Sequence, residues 1–139
     1  LVGNGSLKEK LRIYANKQNV KINFLGNIDN NELLQLYKKY KYYAIFSDYE
    51  GNPKSLKEAM ASGCIAIAKD IDNTKEIIEN EINGILINTK DNNLVKILEN
   101  LNTNSEAERV LSENAYKSME IYSLDRYVKK ELKDYYNLQ

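Results

Sequence analysis

The stretch Ser47-Asp48-Tyr49-Glu50-Gly51-Asn52-Pro53-Lys54-Ser55-Leu56-Lys57-Glu58-Ala59-Met60-Ala61-Ser62-Gly63 decides the fold. The residues before it, Tyr42-Tyr43-Ala44-Ile45-Phe46, are apolar and aromatic and read as a buried strand. Gly51 breaks that strand, Asn52 is a good helix N-cap, and Pro53 is favoured at the first helical position. Leu56, Ala59 and Met60 then fall at i, i+3 and i+4, a short apolar stripe, and Gly63 stands where a helix ends. The reading is strand, tight loop, helix, with Glu50 in the loop and Glu58 inside the helix.

At a helical rise of ~1.5 Å per residue, these two glutamates lie roughly 10–12 Å apart if the loop is compact. A retaining glycosidase needs its carboxyls at about 5 Å and an inverting one at ~6.5–9.5 Å, so the pair is too widely spaced for glycoside hydrolysis. It suits an elongated ligand held at both ends. Between the glutamates lie the free N–H groups of a helix N-terminus, which attract an anion such as phosphate. A carboxylate readily accepts two hydrogen bonds from a vicinal diol. Diol, phosphate, diol is the outline of a nucleotide sugar.

Working outward, Leu1-Val2 resemble the last residues of a strand that runs into Gly3-Asn4-Gly5. That glycine pair is either a loop beside a ligand or only a tight strand-to-helix turn. A helix is expected from Ser6 to Asn19, with Leu7, Leu11 and Tyr14 on one side and a Ser6–Glu9 capping box. Val20, Ile22 and Phe24 alternate and predict a strand over 20–25, turned by Gly26-Asn27. Asp29 to Glu32 opens a helix carrying Leu33, Leu34, Leu36, Tyr37 and Tyr40. After Gly63, Cys64-Ile65-Ala66-Ile67-Ala68 is wholly apolar, as in a parallel strand buried on both faces. A loop over Lys69–Asn73, a helix over Thr74–Asn80 and a strand over Gly84–Ile87 follow. Helices are expected over 91–101, Ser105–Ile121 and Leu124–Tyr136. Strands alternating with helices predict an α/β fold, a Rossmann-like parallel sheet with helices on both faces. Such sheets bind ligands beyond the C-terminal strand ends, where the Glu50 loop falls.

The 139 residues are 42% hydrophobic with a formal net charge of zero, enough for one domain with a core and no argument for a nucleic-acid partner. Cys64 is the one cysteine, so no internal disulfide can form, and it reads as core. No histidine is present, which excludes histidine bases, triads and histidine-containing metal sites. No apolar run approaches the ~18 residues of a membrane span. Glu50 and Glu58 each have a plain alternative, a solvated loop acid and a surface helix residue. Lys54 and Lys57 read as solvated, and the eleven tyrosines as mostly half-buried, Tyr49 alone being close enough to the motif to suspect.

The central stretch resembles the donor-binding motif of the GT-B-fold, family 4 ("group 1") retaining glycosyltransferases: Glu, seven residues, Glu, here Glu50-Gly51-Asn52-Pro53 through Glu58-Ala59-Met60-Ala61-Ser62-Gly63. Leu1 to Gly5, Asn23-Phe24-Leu25-Gly26, Glu76 to Asn80 and Asn83-Gly84-Ile85-Leu86-Ile87 resemble further pieces of the same pattern, in the same order, over roughly residues 1 to 100. The resemblance implies that residues 1–139 are the C-terminal, donor-binding half of a two-domain enzyme, with the first strand truncated and the N-terminal acceptor domain as a missing partner. It implies Glu50 as the catalytic-site residue that meets the donor-sugar hydroxyls and Glu58 as the ribose ligand. The N–H groups around Lys54 and Ser55 would take the diphosphate, Asn27 would lie against the base, and Gly51, Asn52 and Gly3 would belong to the donor-binding set. It implies no metal and no cofactor, the nucleotide sugar being substrate. It also implies a cytoplasmic location, at the inner face of the membrane for the full-length enzyme, polysaccharide biosynthesis, and a piece inactive by itself. Self-association is expected through Tyr127, Tyr135 and Tyr136 of the last helix. Asn52 stands where an aromatic residue is common, and Asp72-Asn73 where paired small residues are usual.

Two other functions stay open on sequence. A degenerate donor domain would bind or assemble without activity. A phosphoacceptor receiver domain would use Asp48 with Lys69, but needs further carboxylates where Gly3-Asn4-Gly5 stands.

Overall fold

A computed structural model describes residues 1–88 and 94–123. They form two compact units, Leu1–Gln35 and Leu36 onward.

In the first unit, α1 spans Lys8–Lys17. It begins later than the sequence suggests: Leu7 is the N-cap, with no side-chain cap bond, so the Ser6–Glu9 box does not form. Lys8 N–H instead closes on Gly5 C=O at 3.1 Å, turning Ser6 and Leu7 ahead of the helix. The helix ends at Asn19, whose φ of 55° lets Asn19 N–H reach Asn16 C=O and Val20 N–H reach Ala15 C=O at 2.9 Å. Ala15 is the buried residue of α1, whereas Leu7, Leu11 and Tyr14 are exposed. The strand expected over 20–25 is not part of a ladder. Leu25 N–H donates to Leu1 C=O and Gly3 N–H to Gly26 C=O at 2.7 Å, giving only isolated bridges. Gly3 at φ 107° and Gly26 at φ 70° turn the backbone out of the extended region at the point of pairing.

Helix α2 spans Asn30–Lys39, and the boundary between the units falls within it. Asp29 caps it, its Oδ1 accepting from Glu32 N–H at 2.9 Å.

The second unit holds β1 (Tyr42–Ile45), α3 (Lys54–Ala61), β2 (Ile65–Lys69), α4 (Asp72–Lys75), β3 (Ile85–Ile87), α5 (Leu94–Thr103) and α6 (Ser105–Ser118), followed by a 3-10 turn, Met119–Tyr122. The three strands form a parallel sheet in the order β1-β2-β3, with Tyr42 opposite Ile65 and Ile67 opposite Ile85. Strand β2 is central and buried throughout its first four residues. Its alternation divides the core. Ala66 and Ala68 pack with Leu56, Met60, Ile77, Ile78, Ala115 and Met119 on one face. Ile65 and Ile67 pack with Ile85, Ile87, Leu101 and Leu111 on the other. The fold is therefore α/β with helices on both faces of a parallel sheet, as the alternating pattern predicts.

Strand β1 is half-buried rather than buried, because it lies at the sheet edge among the described residues, and Phe46 is exposed beyond its end. The helix expected over 74–80 is shorter and starts earlier, as α4. Asn83 is the reason: its buried side chain donates to Ile77 C=O and accepts from Glu79 N–H at 2.8 Å, capturing the groups a longer helix would pair. Gly84 follows because a Cβ there would stand 3.1 Å from Ala66 O and from Ile78 Cγ2. Asn104 caps α6, its Oδ1 accepting from Ala107 N–H at 3.0 Å. The helix expected over Leu124–Tyr136, with Tyr127, Tyr135 and Tyr136, lies outside the described residues, as does the start of the one expected over 91–101. Among the described residues no helix is long and apolar enough to cross a membrane.

Candidate functional site

The site is built where β1 passes through the Phe46–Asn52 loop into α3. The α3 stripe is as predicted: Leu56, Ala59 and Met60 are 0% exposed. Gly63 ends the helix at φ 86°, with Gly63 N–H on Met60 C=O and Cys64 N–H on Ala59 C=O. Cys64 is core, its Sγ directed at Tyr37 C=O at 3.1 Å. The N-terminus of α3 differs from expectation by one residue. Pro53 is the N-cap, since its C=O accepts from both Leu56 and Lys57 N–H. Asn52 does not cap: its C=O takes Lys54 N–H at 2.7 Å, and its side-chain oxygen takes Lys57 Nζ at 3.0 Å. Lys54, Leu56 and Lys57 N–H are thus paired within the turn, and Ser55 N–H takes no part in those bonds.

Ser55 Oγ is 2.8 Å from the Tyr43 hydroxyl, which rises from β1 beneath the helix start. Burial raises the Tyr43 phenol above its ordinary value, the Ser55 hydrogen bond works against that, and the negative charges of Glu50 and Glu58 add to it. Tyr37 meets Tyr43 edge-on, with ring centroids 5.7 Å apart, and its phenol is also raised, by burial first and then by Tyr43 and Glu58. Glu58 is not a free surface acid: its side chain is 19% exposed, with Lys54 Nζ 3.5 Å away at 81% exposure. Glu50 is half-buried and Gly51 exposed in the loop.

Two ties hold this loop to the end of β2. Lys69 donates to Asp48, and Asn73 Nδ2 donates to the C=O groups of Glu50 and Gly51, the second at 2.7 Å. The Lys69 ammonium holds the Asp48 carboxyl below its usual range although the side chain is 93% exposed. The loops after β1 and β2 thus meet at the C-terminal edge of the sheet, the place where parallel sheets bind ligands. Lys57 is not simply solvated, since its Nζ sits 4.2 Å from the centre of the Tyr122 ring. Tyr49 is exposed to solvent.

Glu50, Gly51, Asn52, Lys54, Ser55 and Glu58 are therefore gathered in the second unit. Gly3 and Asn27 lie in the first. Tyr43 and Asn73 were missed as site residues by sequence reasoning. The sequence signal for Asn73 was its presence where small residues are usual. Tyr43 had none, being one aromatic in an apolar strand.

Residues 1–118 match the family described as glycosyl transferases group 1. The chain belongs to the group 1 glycosyl transferases. Membership sets aside the receiver-like alternative built on Asp48, whose carboxylate is instead the Lys69 partner that tethers the loop. Among relatives of this group 1 chain is the GtfA subunit of the UDP-N-acetylglucosamine–peptide N-acetylglucosaminyltransferase of Streptococcus agalactiae, 36% identical over 90 residues, or 63% of this chain and 17% of the relative. A solved C-terminal domain of a group 1 glycosyl transferase (LpcC) of Francisella tularensis is 27% identical with a TM-score of 0.71, covering 85% of this chain and 63% of that one. Anabaena HepE, solved with UDP and glucose, shares the fold at a TM-score of 0.80 and 18% identity, over 96% of this chain and 40% of its own. The chain spans about a quarter or less of the curated relatives it matches.

Proposed function

We propose that this group 1 chain is the nucleotide-sugar-binding domain of a retaining glycosyltransferase, with residues 1–139 as its donor-binding part. The observation that carries the reading is the placement of the Glu50 loop and of Glu58 in α3 at the C-terminal end of β1, with the Tyr43–Ser55 hydrogen bond fixing the helix start to that strand. In this reading Glu58 accepts from the ribose hydroxyls and Glu50 from the hydroxyls of the sugar. The diphosphate lies between them, against Ser55 N–H and the positive end of the α3 dipole. When the bond between the sugar carbon and the diphosphate oxygen breaks, negative charge grows on that leaving oxygen. A fixed amide and dipole aimed there stabilise it without reorganising, which favours the transition state over the bound donor. Asn52 and Gly51 shape the turn that brings Glu50 to the sugar, and Lys54 supplies positive charge on the exposed side.

Gly3 and Asn27 are proposed as donor-binding residues on the family resemblance alone. Acceptor binding is assigned to a separate domain. Peripheral membrane association of the full-length enzyme and self-association through the C-terminal residues are parts of the same proposal. The UDP in the HepE structure and in the name of the S. agalactiae relative supports a nucleoside diphosphate as the donor's fixed part.

The test is a thermal-shift titration of the 139-residue chain with UDP, UDP-glucose and UDP-N-acetylglucosamine. A ligand at a hundred times its Kd stabilises by ~2.7 kcal/mol, a clear rise in Tm. A melting point unmoved by any nucleoside diphosphate or nucleotide sugar at millimolar concentration would contradict the reading.

A further inference from the structure

We propose that Asn73 is a positioning residue that sets the donor-sugar end of the site by holding the Glu50–Gly51 backbone. The inference rests on the reading above, in which Glu50 meets the sugar. A side-chain amide has two N–H donors and one acceptor oxygen. In Asn73 the Nδ2 group faces two carbonyls, those of Glu50 and Gly51, so both donors are used on consecutive peptide units of one loop. These carbonyls lie in the turn between β1 and α3, and such groups must otherwise be paired by water or by a ligand.

Asn73 can do this because its own position is fixed. It is the second residue of α4, and the next residue, Thr74, is buried with its Oγ1 2.6 Å from Lys69 C=O and 2.8 Å from Ile71 C=O. Those contacts lock α4 to the end of the central strand β2. Asn73 therefore transmits the position of the most buried strand to the most exposed part of the site. The Asp48–Lys69 ion pair tethers the same loop two residues upstream, also to β2. The Glu50 side chain projects from a peptide held between the two tethers. A small residue at position 73 would leave one tether, and Glu50 would lose its fixed reach while Ser55, Glu58 and the α3 N-terminus stayed in place. The consequence is specific: Asn73 governs how much the sugar adds to affinity, not how tightly the nucleoside diphosphate binds.

Asn73→Ala and Asn73→Asp separate this role from others. Aspartate keeps the size and the acceptor oxygen but removes both donors. Wild type and both variants would be titrated with UDP, UDP-glucose and UDP-N-acetylglucosamine, and amide hydrogen exchange would be followed across residues 48–52. Both variants are expected to bind UDP within about twofold of wild type. Both should lose about tenfold in affinity for the preferred UDP-sugar, equivalent to one neutral hydrogen bond, and exchange faster at 49–52. Unchanged sugar affinity and unchanged exchange in both variants would overturn the proposal, as would equal losses for UDP and UDP-sugar or wild-type behaviour in Asn73→Asp. A wild-type chain that binds none of the nucleotides would instead overturn the donor-site reading, and slow exchange in both variants would still refute the tether by itself.

Discussion

The Tyr43 hydroxyl and Ser55 Oγ lie 2.8 Å apart, joining strand β1 to the first turn of α3. Tyr43→Phe removes that hydrogen bond while keeping the ring on the edge of Tyr37. The expected cost is ~0.5–1.5 kcal/mol, the net worth of one intramolecular hydrogen bond. Urea unfolding checks it: the midpoint should fall with an unchanged slope. An unchanged midpoint would mean that water replaces the bond without loss.

The buried Asn83 offers a sharper stability test. It serves Ile77 C=O and Glu79 N–H together, ahead of the glycine that lets β3 approach β2. Asn83→Ala should cost about 1–3 kcal/mol, since a buried carbonyl then loses its donor. Thermal unfolding of the variant should show a fall of several degrees; a Tm equal to wild type would contradict the role given to Asn83.

Alkaline pH should destabilise the fold through its tyrosines. Burial, then the hydrogen bond to Glu108, pushes the Tyr42 phenol from 10.0 up to about 12. The folded chain thus holds this proton more tightly than the unfolded chain. The contribution is complete below pH 10.0 and is lost as the pH rises through about 12. Tyr43 shifts in the same direction. Glu108 has the opposite sign: hydrogen bonds from Lys41 and Tyr42 hold its carboxyl below the usual range, so its contribution is lost as pH falls. Tyr42→Phe should flatten the alkaline limb of a Tm-against-pH curve, and an unaltered limb would count against the Tyr42 phenol as a source of it.

Much of this architecture was legible because it follows from local chemistry. The stripe of Leu56, Ala59 and Met60, the apolar β2 and the positive-φ stop at Gly63 each state their structure in a few adjacent residues. The elements that differed depend on partners distant in sequence. Val20–Leu25 alternates like a strand, but its pairing is confined to Leu1, which bonds Asn23 C=O and Leu25 N–H, and to the bent Gly3–Gly26 contact. The helix expected over 74–80 was cut short by Asn83, a competitor for backbone groups that propensity does not register. At the site, the Glu50–Glu58 spacing was visible, whereas the Asn73 tether spans 22 and 23 positions and the Tyr43–Ser55 bond links a strand to a helix.

The central claim is that Glu58 holds the nucleoside and Glu50 the sugar. The most direct test is isothermal titration of Glu50→Ala and Glu58→Ala with UDP and with a UDP-sugar, beside a melting curve for each variant. Losing hydrogen bonds to a charged acceptor costs ~1.5–3 kcal/mol, roughly ten- to a hundredfold in affinity. Glu58→Ala should lose that much for both ligands. Glu50→Ala should bind UDP as wild type does and lose its preference for the sugar-bearing ligand. Both variants should melt as folded chains, because neither side chain belongs to either core cluster. Wild-type affinity for both ligands in both variants would contradict the account.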